Sequence, residues 1–266
     1  MISGNLKFFS LGLVLSLFFW GGVNIFQKNF EDFLFWQRIT DNPELMAAQL
    51  VQESNPKELK PVRNLEIKEP EIKAKSALSV FVDSQGSFEI LFEKESDKLL
   101  PIASLTKLMT ADIVLENYDL SQMIEISKNA VEEKEDFGNL KVGESFSARS
   151  LLYPLLMESS NDAAAALTEV VGEGAFLDLM NLTAEKLGLE NTSFSNMTGL
   201  DPENQKDAPN SSSAKDLAKF TEYLFLKHPL IWQILSKREF DFYSQDNVFH
   251  HRLKNTNELL GQNSLI

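Results

Sequence analysis

The stretch Pro101-Ile-Ala-Ser-Leu-Thr-Lys-Leu-Met-Thr-Ala-Asp-Ile-Val-Leu-Glu-Asn-Tyr118 (PIASLTKLMTADIVLENY) decides how the chain is read. Ser104 and Lys107 sit at i and i+3, so a helix starting here would put them on one face. Leu105, Leu108, Met109, Ile113 and Val114 surround the pair with apolar side chains. A lysine in such a place is expected to be desolvated, which lowers its pKa and lets it accept a proton. A serine needs such a base to attack a carbonyl at neutral pH. The helix N-terminus adds free N–H groups for developing negative charge. The same residues also fit a helix cap with a lysine whose stem lies along apolar surface. Both readings stand at this point.

The pattern S-x-x-K occurs three times, at Ser54, Ser104 and Ser212. Ser54 lies in a polar stretch interrupted by Pro56, and Ser212 reads as a capping serine with a solvated Lys215. S-x-N also occurs three times, at Ser3, Ser127 and Ser159. Ser159-Ser160-Asn161 falls between two apolar segments, where a serine and an amide two residues apart in a turn can face one cleft. There the hydroxyl can relay a proton and the amide can hold a peptide group. The alternative is a helix cap by Asn161 or Asp162.

Outward from these motifs the pattern is mixed. Residues 77–83 and 87–94 read as a β-hairpin, and 238–244 as a strand. Residues 147–158, 161–174, 175–189 and 212–229 read as helices, the last stopped by Pro229. This order predicts an α+β domain from about residue 75 to 266. Four of the nine prolines fall within residues 37–74, at 43, 56, 61 and 70, which reads as a linker or stalk. Residues 8–27 carry no charge and would span roughly 30 Å as a helix, the thickness of a bilayer core. No Ala-x-Ala-like site follows, so residues 1–36 are expected to be an uncleaved single-pass anchor rather than a signal peptide. Phe33, Phe35 and Trp36 suit the far interface. The N-terminus is expected to be cytoplasmic and the remainder extracytoplasmic.

Composition excludes other classes. The net charge is −14 and no basic stripe occurs, which argues against a nucleic-acid partner. There is no cysteine, so disulfides, thiolate metal sites and cysteine nucleophiles are absent together. The three histidines, His228, His250 and His251, form neither HExxH nor HxH and read as surface or packing residues. With no G-x-S-x-G elbow and late histidines, a Ser-His-Asp hydrolase is the weakest candidate.

Five segments in order, PIASLTKLMTA, VGESFSARSLLYPLLMESSNDAAAAL, AEKLGLENTSFSNMTGLD, SSAKDLAKF and LKNTNELLG, resemble the penicillin-binding D-alanyl-D-alanine carboxypeptidases of bacteria. The resemblance implies the penicillin-recognising, serine β-lactamase-like α+β fold: an antiparallel sheet with a helical lobe. It implies Ser104 as acylated nucleophile, Lys107 as proton acceptor, Ser159 as proton relay and Asn161 as substrate-binding residue. The implied substrate is the peptidoglycan stem peptide, with β-lactams as covalent inhibitors and no metal or organic cofactor. DD-endopeptidase and serine β-lactamase share this machinery; a β-lactamase would need a carboxylate such as Glu185 or Glu190 to activate water. A non-catalytic, membrane-anchored cell-wall-binding protein is the remaining alternative. The third family motif, Lys-Thr/Ser-Gly, does not occur in residues 1–266. The expectation is a chain truncated just before it, with an incomplete sheet and little activity of its own.

Overall fold

The computed structural model describes residues 61, 64, 66–82, 88–131, 139–202, 204, 206–245 and 248–261. The expected anchor at 8–27, and the linker up to residue 60, lie outside the described residues. Among the described residues no helix is long and apolar enough to cross a membrane.

The expected hairpin forms. Strand β1 (Ala77–Val82) pairs antiparallel with β2 (Phe88–Lys94), with a register shift at Ser79/Val80. A short strand β3 (Leu100–Pro101) leads through a 3-10 turn, Ala103–Leu105, into α1 (Thr106–Asn117). Met109, Thr110, Ala111, Asp112, Ile113 and Val114 are all buried, so α1 is enclosed rather than amphipathic. Strand β4 (Met123–Glu125) pairs with β5 (Ser145–Ser147), with α2 (Lys128–Val131) between them. Ser127 Oγ caps α2 by accepting the Ala130 N–H at 3.0 Å, so that S-x-N serves structure.

Helices α3 (Ala148–Met157) and α4 (Asn161–Glu169) follow. Ser147 caps α3 by accepting the Ser150 N–H at 3.1 Å. Ser160, not Asn161 or Asp162, caps α4, its Oγ accepting the Ala163 N–H at 3.1 Å. That corrects the expected cap by one residue and leaves the Asn161 side chain without a capping task. Ala163, Ala164, Ala165 and Ala166 are buried, and their small side chains let α4 sit at the centre against α3 and α1. Helix α5 (Glu173–Lys186) packs on α1 and α4.

Strand β6 (Ser211–Ser212) pairs with β3, and α6 (Ala214–Lys227) packs on β1 and α7 (Pro229–Leu235). Its cap is Ser213, which accepts the Asp216 N–H at 3.1 Å, whereas Ser212 belongs to the strand. Pro229 ends α6 and also opens α7, where a missing N–H costs nothing. The predicted strand near 238–244 is β7 (Glu239–Tyr243), and it pairs with β8 (Phe249–Lys254), a strand the sequence pattern did not reveal. The described strands form four two-stranded ladders. Phe146 on β5 stacks on Phe242 on β7 at 4.8 Å, and both rings are fully buried.

Candidate active site

Ser104 does not lie in the helix proper. It occupies the 3-10 turn before α1, after Ala103, whose φ of +46° is left-handed. A non-glycine residue held there is strained, and such strain persists only where the surroundings enforce it. The turn leaves Ser104 exposed while Lys107, one turn on, is 3% exposed. Lys107 Nζ donates to Ser104 Oγ at 3.3 Å and to the Thr198 carbonyl at 2.8 Å. A neutral amine bound to the carbonyl through one N–H keeps a lone pair for the serine proton. The 3.3 Å separation is long for proton transfer, as is common before a substrate closes the site.

Two loops fix this geometry. Asn196 Oδ1 accepts the Gly199 N–H at 2.7 Å, folding residues 196–199 into a tight turn. Asn210, 2% exposed, uses Oδ1 to accept the N–H groups of Ser195 and Asn196, at 2.7 Å and 3.1 Å. Its Nδ2 donates to Thr106 Oγ1 at 2.8 Å and to the Asn196 carbonyl at 2.9 Å. Thr110 Oγ1 donates to the Met197 carbonyl at 2.7 Å. Lys107 and Thr110 on α1 are thus tied to the 196–199 turn, and Thr106 to Asn210, which itself holds that turn. Asn196, Thr198 and Asn210 were not singled out from sequence as site residues. The stretch SNMTGLD at 195–201 was the available signal, but its link to α1 spans about ninety residues.

The Ser159-Ser160-Asn161 turn joins α3 to α4. The Pro154 carbonyl accepts both the Glu158 and Ser160 N–H groups, at 3.2 Å and 3.1 Å, closing α3. Ser159 then takes a φ of +60°, and its buried Oγ has no hydrogen-bond partner among the described residues. A buried hydroxyl left unsatisfied in a strained residue is costly. A catalytic relay would have this form. Asn161 is buried at the first position of α4, which packs on α1. The structure therefore joins Ser104 to Lys107 directly, and sets Ser159 and Asn161 at the N-terminus of the adjoining helix. Glu185 and Glu190 are both exposed.

A different cluster lies along α1. His228 Nε2 approaches Asp112 Oδ1 at 2.9 Å and Glu116 Oε1 at 3.2 Å, and Lys227 bridges Glu116 at 2.7 Å. Burial above all, then Glu116, pushes the Asp112 pKa up to about 7, and burial pushes His228 down. This group ties α1 to the α6–α7 junction, and His228 is a packing residue as expected.

The sequence family described as D-alanyl-D-alanine carboxypeptidase matches residues 63–266. A D-alanyl-D-alanine endopeptidase of Pseudomonas aeruginosa is 32% identical over 188 residues, covering 68% of this chain and 58% of that protein. The D-alanyl-D-alanine carboxypeptidase DacF of Bacillus subtilis is 32% identical over 194 residues, covering 70% and 48% respectively. The chain thus spans about half to three-fifths of these two relatives. The crystal structure of penicillin-binding protein D2 from Listeria monocytogenes, in its ampicillin-bound form, superposes with a TM-score of 0.61 at 29% identity. It covers 74% of this chain and 78% of that one.

Proposed function

Because the chain belongs to the D-alanyl-D-alanine carboxypeptidase family, we propose that it is a serine-type carboxypeptidase acting on peptidoglycan stem peptides. The observation that carries this reading is Ser104 exposed above a buried Lys107, whose Nζ is held by both Ser104 Oγ and the Thr198 carbonyl.

The chemistry follows from that geometry. Ser104 Oγ attacks the carbonyl carbon of the penultimate D-Ala as its proton passes to Lys107 Nζ. The tetrahedral intermediate collapses, the C–N bond breaks, and the terminal D-Ala leaves as its amine takes up a proton. Ser159, with an unsatisfied hydroxyl, is the relay for that proton, and Asn161 holds the peptide. Water then adds to the ester, releasing the shortened peptide and restoring Ser104. No step needs a metal or an organic cofactor. A β-lactam would stop at the ester, and a related protein is known in an ampicillin-bound form.

The test is a mass measurement after exposure to a β-lactam. One covalent adduct that is lost in Ser104→Ala supports the assignment, as does D-Ala release from a pentapeptide that disappears with it. An adduct retained in Ser104→Ala, or no adduct in the parent under any condition, sinks it. Absence of an adduct with muropeptide binding intact would favour the non-catalytic wall-binding alternative.

A second reading, endopeptidase, has one specific support: a relative named as a D-alanyl-D-alanine endopeptidase matches at 32% identity. Product analysis on crosslinked muropeptides separates the two, since only an endopeptidase lowers the dimer fraction. The β-lactamase reading is not favoured, because Glu185 and Glu190 both face solvent.

The uncharged run at 8–27 supports placing the domain outside the bacterial cytoplasmic membrane, held by a single span. Release of the protein from membranes by alkaline carbonate would contradict that placement.

A further inference from the structure

The turn that carries Ser159 is held from two sides. On one side is α3, whose Pro154 carbonyl accepts the Glu158 and Ser160 N–H groups. On the other side is the β7–β8 hairpin, which the acylation chemistry above does not use. Its ladder slips once. Phe242 pairs with His251 and Tyr243 with Phe249, so His250 is the extra residue of a β-bulge. From His251 onward the alternation is regular, and His251 and Leu253 share one face. Leu253 is fully buried, and β8 packs on α3. His251 meets the end of that helix at Glu158.

Glu158 joins the two sides. Its Oε1 accepts the Lys254 N–H at 2.9 Å, and its Oε2 lies 3.4 Å from His251 Nε2. One residue earlier, the Met157 carbonyl accepts the Thr256 N–H at 3.0 Å. The hairpin is a firm anchor. The His251 ring meets the buried Phe242 ring edge-on at 5.7 Å. The Asn255 N–H donates to the Arg238 carbonyl at 2.9 Å, and Asn255 Nδ2 donates to the Leu235 and Lys237 carbonyls. Successive N–H groups along a strand point to opposite sides. The Lys254 N–H therefore points away from β7. Lys254 is exposed, so without Glu158 that donor would face water.

We propose that Glu158 is the positioning residue for Ser159, a role that rests on the carboxypeptidase reading above. Ser159 Oγ has no hydrogen-bond partner among the described residues, so its place is set by its backbone. That backbone has a φ of +60°, a conformation that persists only where the surroundings enforce it. Glu158 enters this strained residue pinned at both ends. Its N–H is held by α3 and its carboxylate by β8. Helix stability does not account for a glutamate here. Glu158 is the C-terminal cap of α3, where the helix dipole disfavours negative charge. The tie to β8 does account for it.

Glu158 acts through Ser159. Asn161 is held separately, on α4, by the Ser160 cap. Loss of the Glu158 carboxylate should therefore slow the chemical step and leave binding nearly unchanged. A displacement of about 1 Å at a reacting group costs on the order of 10²-fold in rate. Pro154 still holds part of the turn, so a loss of about tenfold or more is expected.

The test is the rate of acylation of the full chain by a fluorescent penicillin at rising concentration. Glu158→Met keeps the stem and removes both oxygens, whereas Glu158→Gln keeps an acceptor for the Lys254 N–H. In Glu158→Met the saturating rate should fall about tenfold or more, with the half-saturating concentration within about twofold of the parent. Glu158→Gln should stay within about threefold of the parent rate, since a neutral acceptor is roughly half as strong. Mere destabilisation would lower the fraction labelled and not the rate constant of the folded molecules. Amide exchange gives a second reading. The Lys254 N–H should be protected in the unaltered protein, and the Ser160 N–H should exchange about tenfold faster in Glu158→Met. The proposal is overturned if Glu158→Met acylates at the parent's saturating rate, or if Glu158→Gln is as slow as Glu158→Met. A Lys254 N–H that exchanges at once in the unaltered protein also overturns it, and that reading needs no variant to fold. A parent that takes no penicillin refutes the carboxypeptidase reading instead. Ser160 exchange then decides whether Glu158 holds the turn, and unchanged protection in Glu158→Met refutes it.

Discussion

Gly199→Ala tests whether the 195–200 loop holds the Ser104 turn in place. Gly199 has a φ of +86°, and a Cβ there would lie 2.0 Å from the Ala103 carbonyl oxygen and 2.4 Å from its carbon. An ordinary contact needs roughly 3.5 Å, so loop or turn must retreat by more than about 1 Å. The Ala103 carbonyl shares its peptide plane with the Ser104 nitrogen, so the turn cannot retreat without rotating Ser104. A misplacement of about 1 Å at a reacting group costs on the order of 10²-fold in rate. Folding suffers separately. The left-handed backbone costs an alanine about 1–2 kcal/mol, and overpacking adds about 1–3 kcal/mol. Gly188→Ala is the matched control, because its φ is +65° but an added Cβ would meet nothing within 4 Å. It should lose only the backbone part, about 1 kcal/mol, and acylate normally. The assay is the second-order rate of labelling by a fluorescent penicillin, beside urea unfolding of both variants. If Gly199→Ala labels at the parent rate and is no less stable than Gly188→Ala, the loop does not position Ser104.

Asn210→Ala should slow labelling about tenfold or more and cost roughly 2–4 kcal/mol, because it strands several buried donors and acceptors on Thr106, Ser195 and Asn196; unfolding and labelling rates measured together check this. Asp112, pushed up to about 7, holds a proton in the folded state that the unfolded chain gives up above about pH 4. Stability from this group is therefore present at low pH and lost as pH rises from about 4 to 7, by roughly 4 kcal/mol at most. His228, pushed down, works in the opposite sense, removing stability as pH falls below about 6.5. Asp112→Asn should abolish only the first slope, so urea midpoints from pH 5 to 8 should show the variant gaining on the parent as pH rises. Glu116, Tyr223 and Lys227 face the same group and should retain their own effects. Phe242→Ala should cost about 3–5 kcal/mol by calorimetry, since it empties a fully buried site stacked on Phe146.

What the sequence made legible is what local spacing encodes. Ser104 and Lys107 are three residues apart, so any helical turn brings them together, and the apolar neighbours announced a buried lysine. The first hairpin and four of the helices could be read from periodicity and prolines for the same reason. Illegible were the features that depend on distant partners. The Thr198 carbonyl that holds Lys107 is ninety-one positions away, and Asn210 reaches Thr106 across one hundred and four. Nothing in a serine's identity foretells a left-handed φ at Ser159; the closure of α3 by the Pro154 carbonyl imposes it. The cap of α4 was misplaced by one residue because three adjacent residues, Ser160, Asn161 and Asp162, are all good caps by type. Strand β8, FHHRLK, was missed because four of its six residues are basic or histidine and its alternation is broken by the bulge. That same break brings the His250 and His251 rings together against the Phe242 ring. Sequence periodicity fails where the backbone departs from regular geometry, and among the described residues two such departures, at Ala103 and Ser159, fall at or beside the residues proposed to carry the chemistry.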